Sequence, residues 1–595
     1  MHILGISCYY HDAAAAILRD GELVAAAQEE RFSRIKHDHS FPRKAIQFCL
    51  RAAGIRGSEI DYAVFHEKPF RKFHRFLASV LQTSPHSREL FTEGIIGWTK
   101  PRNRIVRSIR SELGLDRDRI LFSEHHLSHA ASAYLCSPFA EAAILTVDGV
   151  GEWPTAAYGV GRGNQIHLTR QMEFPHSLGL LYSAFTSFLG FQVCEGEYKV
   201  MGMAGYGQPR YLEEVWELVE QHQDGSLALD MDYFCFHYSL DGMFDARIME
   251  LFGEPRPPEM LFFTEASGFP KYFGQRPKDY PELCRRNQHY ADIACSLQKV
   301  TEELLLGMAR HVQRETGMRK LCMAGGVALN SVANSRILRE TPFDELFIQP
   351  AAGDDGAALG AALWAHHALL GEPRRFRMDG AGFGQGYSGS EIRVFLEGNN
   401  IPHQPIEAED KLLDWVVERL LRGQVVGWFQ GRFEWGPRAL GFRSILADAR
   451  NAEMKDIVNA KIKFREPYRP FAPSVLAECA EKYFDLPDAP QHLPARFMLY
   501  VAPVRPGQQA VLPAITHVDG TARLQTVFRD QNQRYYRLIE RFGRATGVPV
   551  VLNTSFNLKG EPMVNTPENA FATFSKSEMD CLVLGDFVVE KRAVA

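Results

Sequence analysis

Residues 142–171 read AAILTVDGVGEWPTAAYGVGRGNQIHLTRQ, and the order of apolar runs and turns in them decides the fold. Ala142 to Val147 is an apolar strand that ends in Asp148-Gly149-Val150-Gly151. A second strand, TAAYGVG, follows, then the turn Arg162-Gly163-Asn164 and a third strand, QIHLTRQ. Short β-prone runs separated by glycine turns read as hairpins. The start of the chain uses the same plan. Ile3 to Ser7 is an apolar strand, YYHDAAAAIL follows, Asp20-Gly21 is a tight turn and ELVAAAQEE is the returning strand. A plan used twice points to an internal duplication.

Two related halves, each opening with a phosphate-facing hairpin and holding nucleotide between them, make the actin-like ATPase plan. The chain has room for it. At 595 residues it is too long for one core, and two or three domains are expected. Apolar residues are 45% and charged residues 23%, the balance of an ordinary globular chain. A net charge of −5 gives no polyelectrolyte signal, so neither nucleic acid nor an anionic membrane is expected as partner. The first residues, MHILGISCYYHD, enter a strand with no signal-peptide pattern, and no apolar run reaches ~18 residues, the length that spans a bilayer. The ten cysteines include no CxxC pair, and Cys49, Cys295, Cys322 and Cys581 lie in apolar segments. A reducing cytoplasm is therefore expected.

His125 and His129 stand four apart just before the helical run SHAASAYLC. A helix beginning at His125 projects both imidazoles from one face, a spacing that can chelate a divalent metal. Asp148, at the end of its strand, is a candidate third ligand. The glutamate of HExxH is absent, which excludes a zincin. Lys199 and Gly202 lie in EGEYKVMGMAGYG, where glycines permit backbone approach to phosphate. Lys320 to Ala324 is a strand running into Gly325-Gly326 and the helix VALNSVANSRIL, with Asn330 at the candidate phosphate turn. Glu345 to Gln349 runs likewise into PAAGDDGAALGAAL, with Gly353 and Asp354 at the helix start. Backbone N–H groups at such turns suit nucleotide phosphate. Asp354 reads either as an N-cap or as a metal carboxylate. Arg43 to Ala53 and Arg102 to Leu113 read as helices, and residues from about 371 to 384 as a charged, glycine-rich linker.

Beyond Gln385 the character changes. GRFEWGPRALGFRS carries Arg432, Arg438 and Arg443, KFREPYRPFAPS carries Lys463, Arg465 and Arg469, and HVDGTARLQTV carries Arg523. These cations are interleaved with Trp435, Leu440, Phe442, Phe464 and Phe471, which favours an oxyanion site over a solvated basic face.

HHLSHAASAY, VDGVGEW, EYKVMGMAGYG, GGVALN, GDDGAALGAA, GPRALGFRSILAD, FREPYRPFAPS and NTSFNLKGEP, in this order, resemble the NodU/CmcH-type O-carbamoyltransferases, which include the TobZ-like enzymes of antibiotic biosynthesis. The resemblance runs from Ile3 to about Lys591. It implies an α/β protein: a duplicated actin-like (ASKHA, TsaD-like) carbamoyl-transfer domain over 1–370, a linker over 371–384 and a YrdC-like α/β domain over 385–595. The second domain would make carbamoyl adenylate from carbamoyl phosphate and ATP, with Mg(II) accompanying the nucleotide. The first would pass the carbamoyl group to a hydroxyl of a small molecule: an antibiotic, another natural product or a saccharide.

Residue by residue, the resemblance places the metal, usually iron(II), on His125, His129, Asp148 and Asp354. It places carbamoyl phosphate on Arg438, Lys463 and Arg523, and the catalytic histidine on His11, with Asp12 beside it. Nucleotide is expected against Lys199, Gly202, Gly325, Gly326, Asn330 and Gly353. A homodimer is implied by the family alone. The chemistry is coherent from below, because adenylation turns carbamate, a poor electrophile, into a mixed anhydride with AMP as leaving group. An anhydride that labile is best made and used within one chain. Two other readings are a threonylcarbamoyl-type tRNA-modifying enzyme and an actin-like ATPase without transfer chemistry.

Overall fold

A computed structural model describes residues 1–99, 105–240 and 242–591, with the backbone alone at 97–99. It divides into two compact units. The first comprises 1–33, 37–260 and 289–378, the second 34–36, 261–288 and 379–595.

The first unit holds two five-stranded sheets. One is built from β1 (His2–Ser7), β2 (Ala14–Arg19), β3 (Glu22–Gln28), β4 (Tyr62–Phe65) and β5 (Ile120–Phe122), in the order β3-β2-β1-β4-β5. The other is built from β6 (Glu141–Val147), β7 (Pro154–Arg162), β8 (Gln165–Glu173), β9 (Lys320–Ala324) and β10 (Glu345–Ile348), in the order β10-β9-β6-β7-β8. In each sheet the first three strands are antiparallel and the last two add in parallel. The two sheets therefore share one topology, the duplicated actin-like plan. The central strands β1 and β6 are buried along nearly their whole length, as apolar runs covered on both faces must be. The edge strand β8 leaves six of its nine residues exposed.

Two helices matter most for the site: α1 (His125–Tyr134) and α2 (Asp354–Leu363). The sequence of α2, DDGAALGAAL, is small on every side, and all ten of its residues are buried. Small residues let it lie against its neighbours at backbone distance. A Cβ at Gly360 would fall 1.8 Å from the Ser128 carbonyl oxygen of α1, and one at Gly5 of β1 would fall 1.8 Å from the Ala358 carbonyl oxygen. The helix expected over 102–113 is present at Ile105–Leu113, and its first three residues lie outside the described ones.

The second unit is built on an eight-stranded mixed sheet. Its strands are β11 (Gln404–Pro405), β12 (Val426–Phe429), β13 (Arg443–Asp448), β14 (Ala472–Leu476), β15 (Gln525–Val527), β16 (Val550–Ser555), β17 (Cys581–Leu584) and β18 (Phe587–Glu590). Their order is β11-β18-β17-β12-β13-β16-β14-β15. Helices α3 (Glu409–Leu421) and α4 (Gln533–Thr546) cover it through Leu412, Val416, Leu420, Leu538, Ile539 and Phe542, packed on Trp428 and Val551. Two earlier stretches of chain complete this unit. Arg34 donates to the carbonyls of Pro562 and Met563 at 2.8 and 2.6 Å. Phe262 stands edge-on to Tyr468, with ring centroids 4.6 Å apart.

Candidate metal centre and active site

Helix α1 begins at His125. Glu152, from the turn after β6, accepts the His125 backbone N–H with both oxygens at 3.1 Å, placing a negative charge at the helix N-terminus where it is favourable. The i, i+4 spacing then sets the rings edge-to-face, with centroids 4.7 Å apart and the two Nε2 atoms 3.1 Å apart. Asp148 ends β6 with Oδ2 2.9 Å from His125 Nε2 and 3.4 Å from His129 Nε2. Its other oxygen accepts the Gly326 N–H at 3.0 Å. Asp354 opens α2 with Gly353 as N-cap, and its side chain makes no cap bond. Its Oδ1 lies 3.6 and 3.4 Å from the two Nε2 atoms, and neither of its oxygens has a hydrogen bond, although only 2% of the residue is exposed.

Hydrogen bonds alone do not account for this arrangement, since a buried carboxylate without a donor is costly. A cation accounts for it. Metal bonds of about 2.1 Å put neighbouring ligand atoms ~3.0 Å apart at right angles and ~3.4 Å apart at tetrahedral angles, the range of the separations here. His125, His129, Asp148 and Asp354 thus form a buried group that could hold a metal ion, and their nitrogen and carboxylate donors suit a divalent transition metal. The electrostatics agree. Burial opposes charge on His129, but the carboxylates of Asp148 and Asp354 beside it push it up to about 9. Burial likewise opposes ionisation of Asp354, yet His125 and His129 hold it well below the usual carboxylate range. Two carboxylates buried against two imidazoles leave the site short of positive charge.

His11 and Asp12 follow β1. Side chains of sequence neighbours seldom face each other, but here the backbone of Asp12 is left-handed (φ 52°), which turns its carboxylate back. Asp12 Oδ2 lies 2.8 Å from His11 Nδ1, and Asp12 Oδ1 lies 2.8 Å from Nδ1 of His37, a residue not expected at the site. A carboxylate only accepts, so Nδ1 of His11 carries a proton, and in the neutral ring Nε2 presents its lone pair. Burial lowers His11, but the hydrogen bond and charge of Asp12, helped by Asp354, raise it well above the ordinary imidazole value.

The residues expected to meet nucleotide are distributed unevenly. Gly325 is left-handed (φ 95°), and a Cβ there would lie 2.2 Å from the Val147 carbonyl oxygen. Gly326 spends its N–H on Asp148, and Asn330 caps the following helix by accepting from the Ala333 N–H at 3.1 Å. Gly353 caps α2. Lys199 and Gly202 sit on the helix Glu197–Ala204, with the Lys199 ammonium 5.5 Å from the Phe191 ring centroid. Two further residues lie beside the site that the sequence reading did not place there. Cys194, left-handed at φ 64°, lies near His11, and burial pushes its thiol up to about 11. His66 is buried, with neither ring nitrogen hydrogen-bonded and its ring centroid 5.7 Å from that of His125.

In the second unit, Arg438 rides on a loop whose backbone is held by buried side chains. Glu434 accepts the N–H groups of Leu440, Phe442 and Arg443 on one oxygen, at 2.8, 2.9 and 3.0 Å. Asn553 and Gln525 donate to the carbonyls of Ala439 and Leu440. Arg523 ends a short strand paired with Val501–Pro503, and its Nε is buried without a hydrogen bond. Burial and the charges of Arg438 and Arg465 push its guanidinium well below its ordinary value, so three cations crowd one another. Arg465, left out of the expected phosphate set, links them to Lys463. Lys463 is itself spoken for. Its ammonium reaches the carbonyls of Ser555 and Asn557 at 2.6 and 2.9 Å and their side-chain oxygens at 3.2 and 2.6 Å, fastening that loop.

Two family models match the chain. One described as the carbamoyltransferase N-terminus matches residues 2–363, and one described as the carbamoyltransferase C-terminus matches 417–591. The chain belongs to the carbamoyltransferase family. This carbamoyltransferase-family chain is 45% identical to an uncharacterized protein of Synechocystis, covering 100% of this chain and 97% of that one. It is 39% identical to the nodulation protein NolNO of Sinorhizobium fredii, over 99% and 80% of the two chains. To the nodulation protein U of Rhizobium tropici it is 29% identical, over 94% and 91%. Among solved structures, HypF of T. kodakarensis aligns with 62% of this chain and 48% of its own at 13% identity and a TM-score of 0.30, too slight a likeness to carry an argument.

Proposed function

We propose that this carbamoyltransferase is an ATP-dependent O-carbamoyltransferase. The observation that supports this most is the first unit's pairing of a buried His125–His129–Asp148–Asp354 group with a carboxylate-held imidazole at His11. The second unit, YrdC-like in this reading, binds carbamoyl phosphate among Arg438, Arg465 and Arg523, where Arg can pair phosphate oxygens bidentately. Water attacks the bound carbamoyl phosphate, inorganic phosphate departs and the carbamoyl group is left as carbamate. A carbamate oxygen then attacks the α-phosphorus of ATP, and pyrophosphate departs to give carbamoyl adenylate. In the first unit, His11 Nε2 takes the proton of an acceptor hydroxyl while its oxygen attacks the carbamoyl carbon and AMP leaves. General-base help of this kind is worth about 10²–10⁴-fold. A divalent metal held by His125, His129, Asp148 and Asp354, iron(II) in this reading, would supply positive charge for the nucleotide phosphates. Acceptors are hydroxylated small molecules.

Incubation with ATP and carbamoyl phosphate tests the first step. Pyrophosphate release that depends on carbamoyl phosphate is expected, and release without it would leave only an ATPase. Mass spectrometry of a panel of hydroxylated acceptors, aminoglycosides, macrolides and oligosaccharides among them, tests the second by a gain of one carbamoyl group. A base must be unprotonated, and Asp12 raises His11. Transfer should therefore climb with pH through a midpoint above ~6.5, the ordinary imidazole value. His11→Asn should abolish that rise and leave pyrophosphate release near normal.

A further inference from the structure

Asp12 holds two imidazoles at once, one on each oxygen, and only the first of them belongs to the chemistry above. The second, His37, comes from the stretch after β3 and is itself fixed with care. Its backbone is left-handed (φ 53°), and its N–H donates to Glu30 Oε2 at 3.0 Å. The loop that carries it is tied to the loop of His11 on both sides of Asp12. Tyr9 N–H donates to the His39 carbonyl, and Ala13 N–H to the Asp38 carbonyl, each at 2.8 Å. Asp12 accepts side-chain hydrogen bonds from His11 and His37 and is about one quarter exposed. An aspartate in that position with a single partner can swing about its χ angles into solvent.

We infer that His37 is the positioning residue of the His11 base: it pins one oxygen of Asp12 so that the other stays on His11 Nδ1 and keeps Nε2 aimed as the acceptor. The pinning explains how a carboxylate can orient the imidazole next to it in sequence, a pairing that adjacent side chains rarely achieve. The groups acting on His11 include Asp12 from its own loop and Asp354 and Asp355 from α2; the Cys194 thiol, from the stretch before the helix Glu197–Ala204, lies near it and is pushed up to about 11 by burial. Asp12 faces His37 as well. Neither Asp354 nor Cys194 is bonded to Asp12 by a hydrogen bond, so loss of His37 is felt at His11 through Asp12.

The inference rests on His11 acting as base, but it can be tested without the reaction. Diethyl pyrocarbonate acylates neutral imidazole, and peptide mass spectrometry resolves His11 from the other histidines. The full-length protein is treated over a range of pH, alongside Asp12→Asn, His37→Ala, His37→Asn and the Asp12→Asn/His37→Ala double variant. In Asp12→Asn and His37→Ala alike, the midpoint for His11 should fall by about one pH unit, because both remove the carboxylate from Nδ1. The double variant should fall no further than Asp12→Asn, since the two residues act in series. His37→Asn can place an amide N–H where Nδ1–H stood, and its midpoint should stay within ~0.3 of the parent. If His37→Ala does not fold, His37→Leu, of similar bulk and without a donor, takes its place with the same expectation. A His11 midpoint that is unmoved or raised without His37, or effects that add in the double variant, would overturn the inference. Transfer that survived in His11→Asn would instead remove His11 from the mechanism and leave the His37 result standing.

Discussion

Asp354 has the least ordinary surroundings of any residue described at the site: a buried carboxylate with two imidazoles beyond hydrogen-bond geometry and no donor at all. Removing one neighbour leaves it worse off. His129→Ala should lose the metal and the transferase activity together while pyrophosphate release persists, and full metal occupancy by elemental analysis in that variant would contradict the site. His126, between the two candidate ligands, behaves oppositely to them. Its Nε2–H donates to the Pro154 carbonyl and its Nδ1 meets the Thr146 hydroxyl, so one neutral tautomer fits, and burial with the charges of His125 and His129 lowers it to about 3. The unfolded chain gains the proton below ~6.5 and the folded chain does not. Stability is therefore present above that pH and is lost as pH falls, by about 2 kcal/mol between pH ~7 and ~5. The melting temperature of His126→Gln should fall less over this interval than that of the parent; an equal fall would show that His126 does not titrate this way.

At the scale of elements, α2 and the Arg438 loop do most to set the site. The small residues of α2 let it touch β1 and α1 at backbone distance, and this contact brings Asp354 to the histidines. Gly360→Leu would drive a side chain into the Ser128 carbonyl, which cannot retreat without moving α1. Overpacking of this kind costs typically 1–3 kcal/mol. Both the melting temperature and the bound metal should drop in that variant, and retention of both would mean the helices separate freely. In the second unit, the loop of Arg438 is held on its N–H side by Glu434 and on its carbonyl side by Asn553 and Gln525. The guanidinium is thus presented by a rigid scaffold, which is how a charge-assisted contact keeps its ~1.5–3 kcal/mol. Arg438→Ala should raise the carbamoyl phosphate requirement roughly ten- to a hundredfold. Transfer from separately supplied carbamoyl adenylate should be untouched, and equal loss of both half-reactions would refute a phosphate role.

For the whole molecule, the chain order and the fold part company in two places. Residues 34–36 and 261–288 belong to the second unit although residues 289–378, which belong to the first, separate the latter from Asp379. Nothing in their composition announces this. Arg34 reads as one more surface arginine until the carbonyls of Pro562 and Met563 accept its guanidinium, and Phe262 as one more aromatic until it meets Tyr468. Such contacts join residues hundreds of positions apart, and a pattern read within a window of a dozen or so residues cannot contain them. The buried polar scaffold around Glu434 was hidden for the same reason. No described helix is long and apolar enough to cross a membrane.

What the sequence determined by itself is whatever a short stretch of backbone decides. Alternating strands and glycine turns specified the two hairpins, and the sheets built on them share one strand order. The spacing of His125 and His129 put two rings on one face because an α-helix repeats every 3.6 residues. The tertiary structure alone decided how those pieces are used. It turned Asp354 from a helix cap into a carboxylate facing two imidazoles, spent the Gly326 N–H on Asp148 and the Lys463 ammonium on Ser555 and Asn557, and set His37 across Asp12 from His11. Each of these depends on which donor reaches an acceptor first in the folded chain, and that is a matter of distance in space, which residue spacing does not encode.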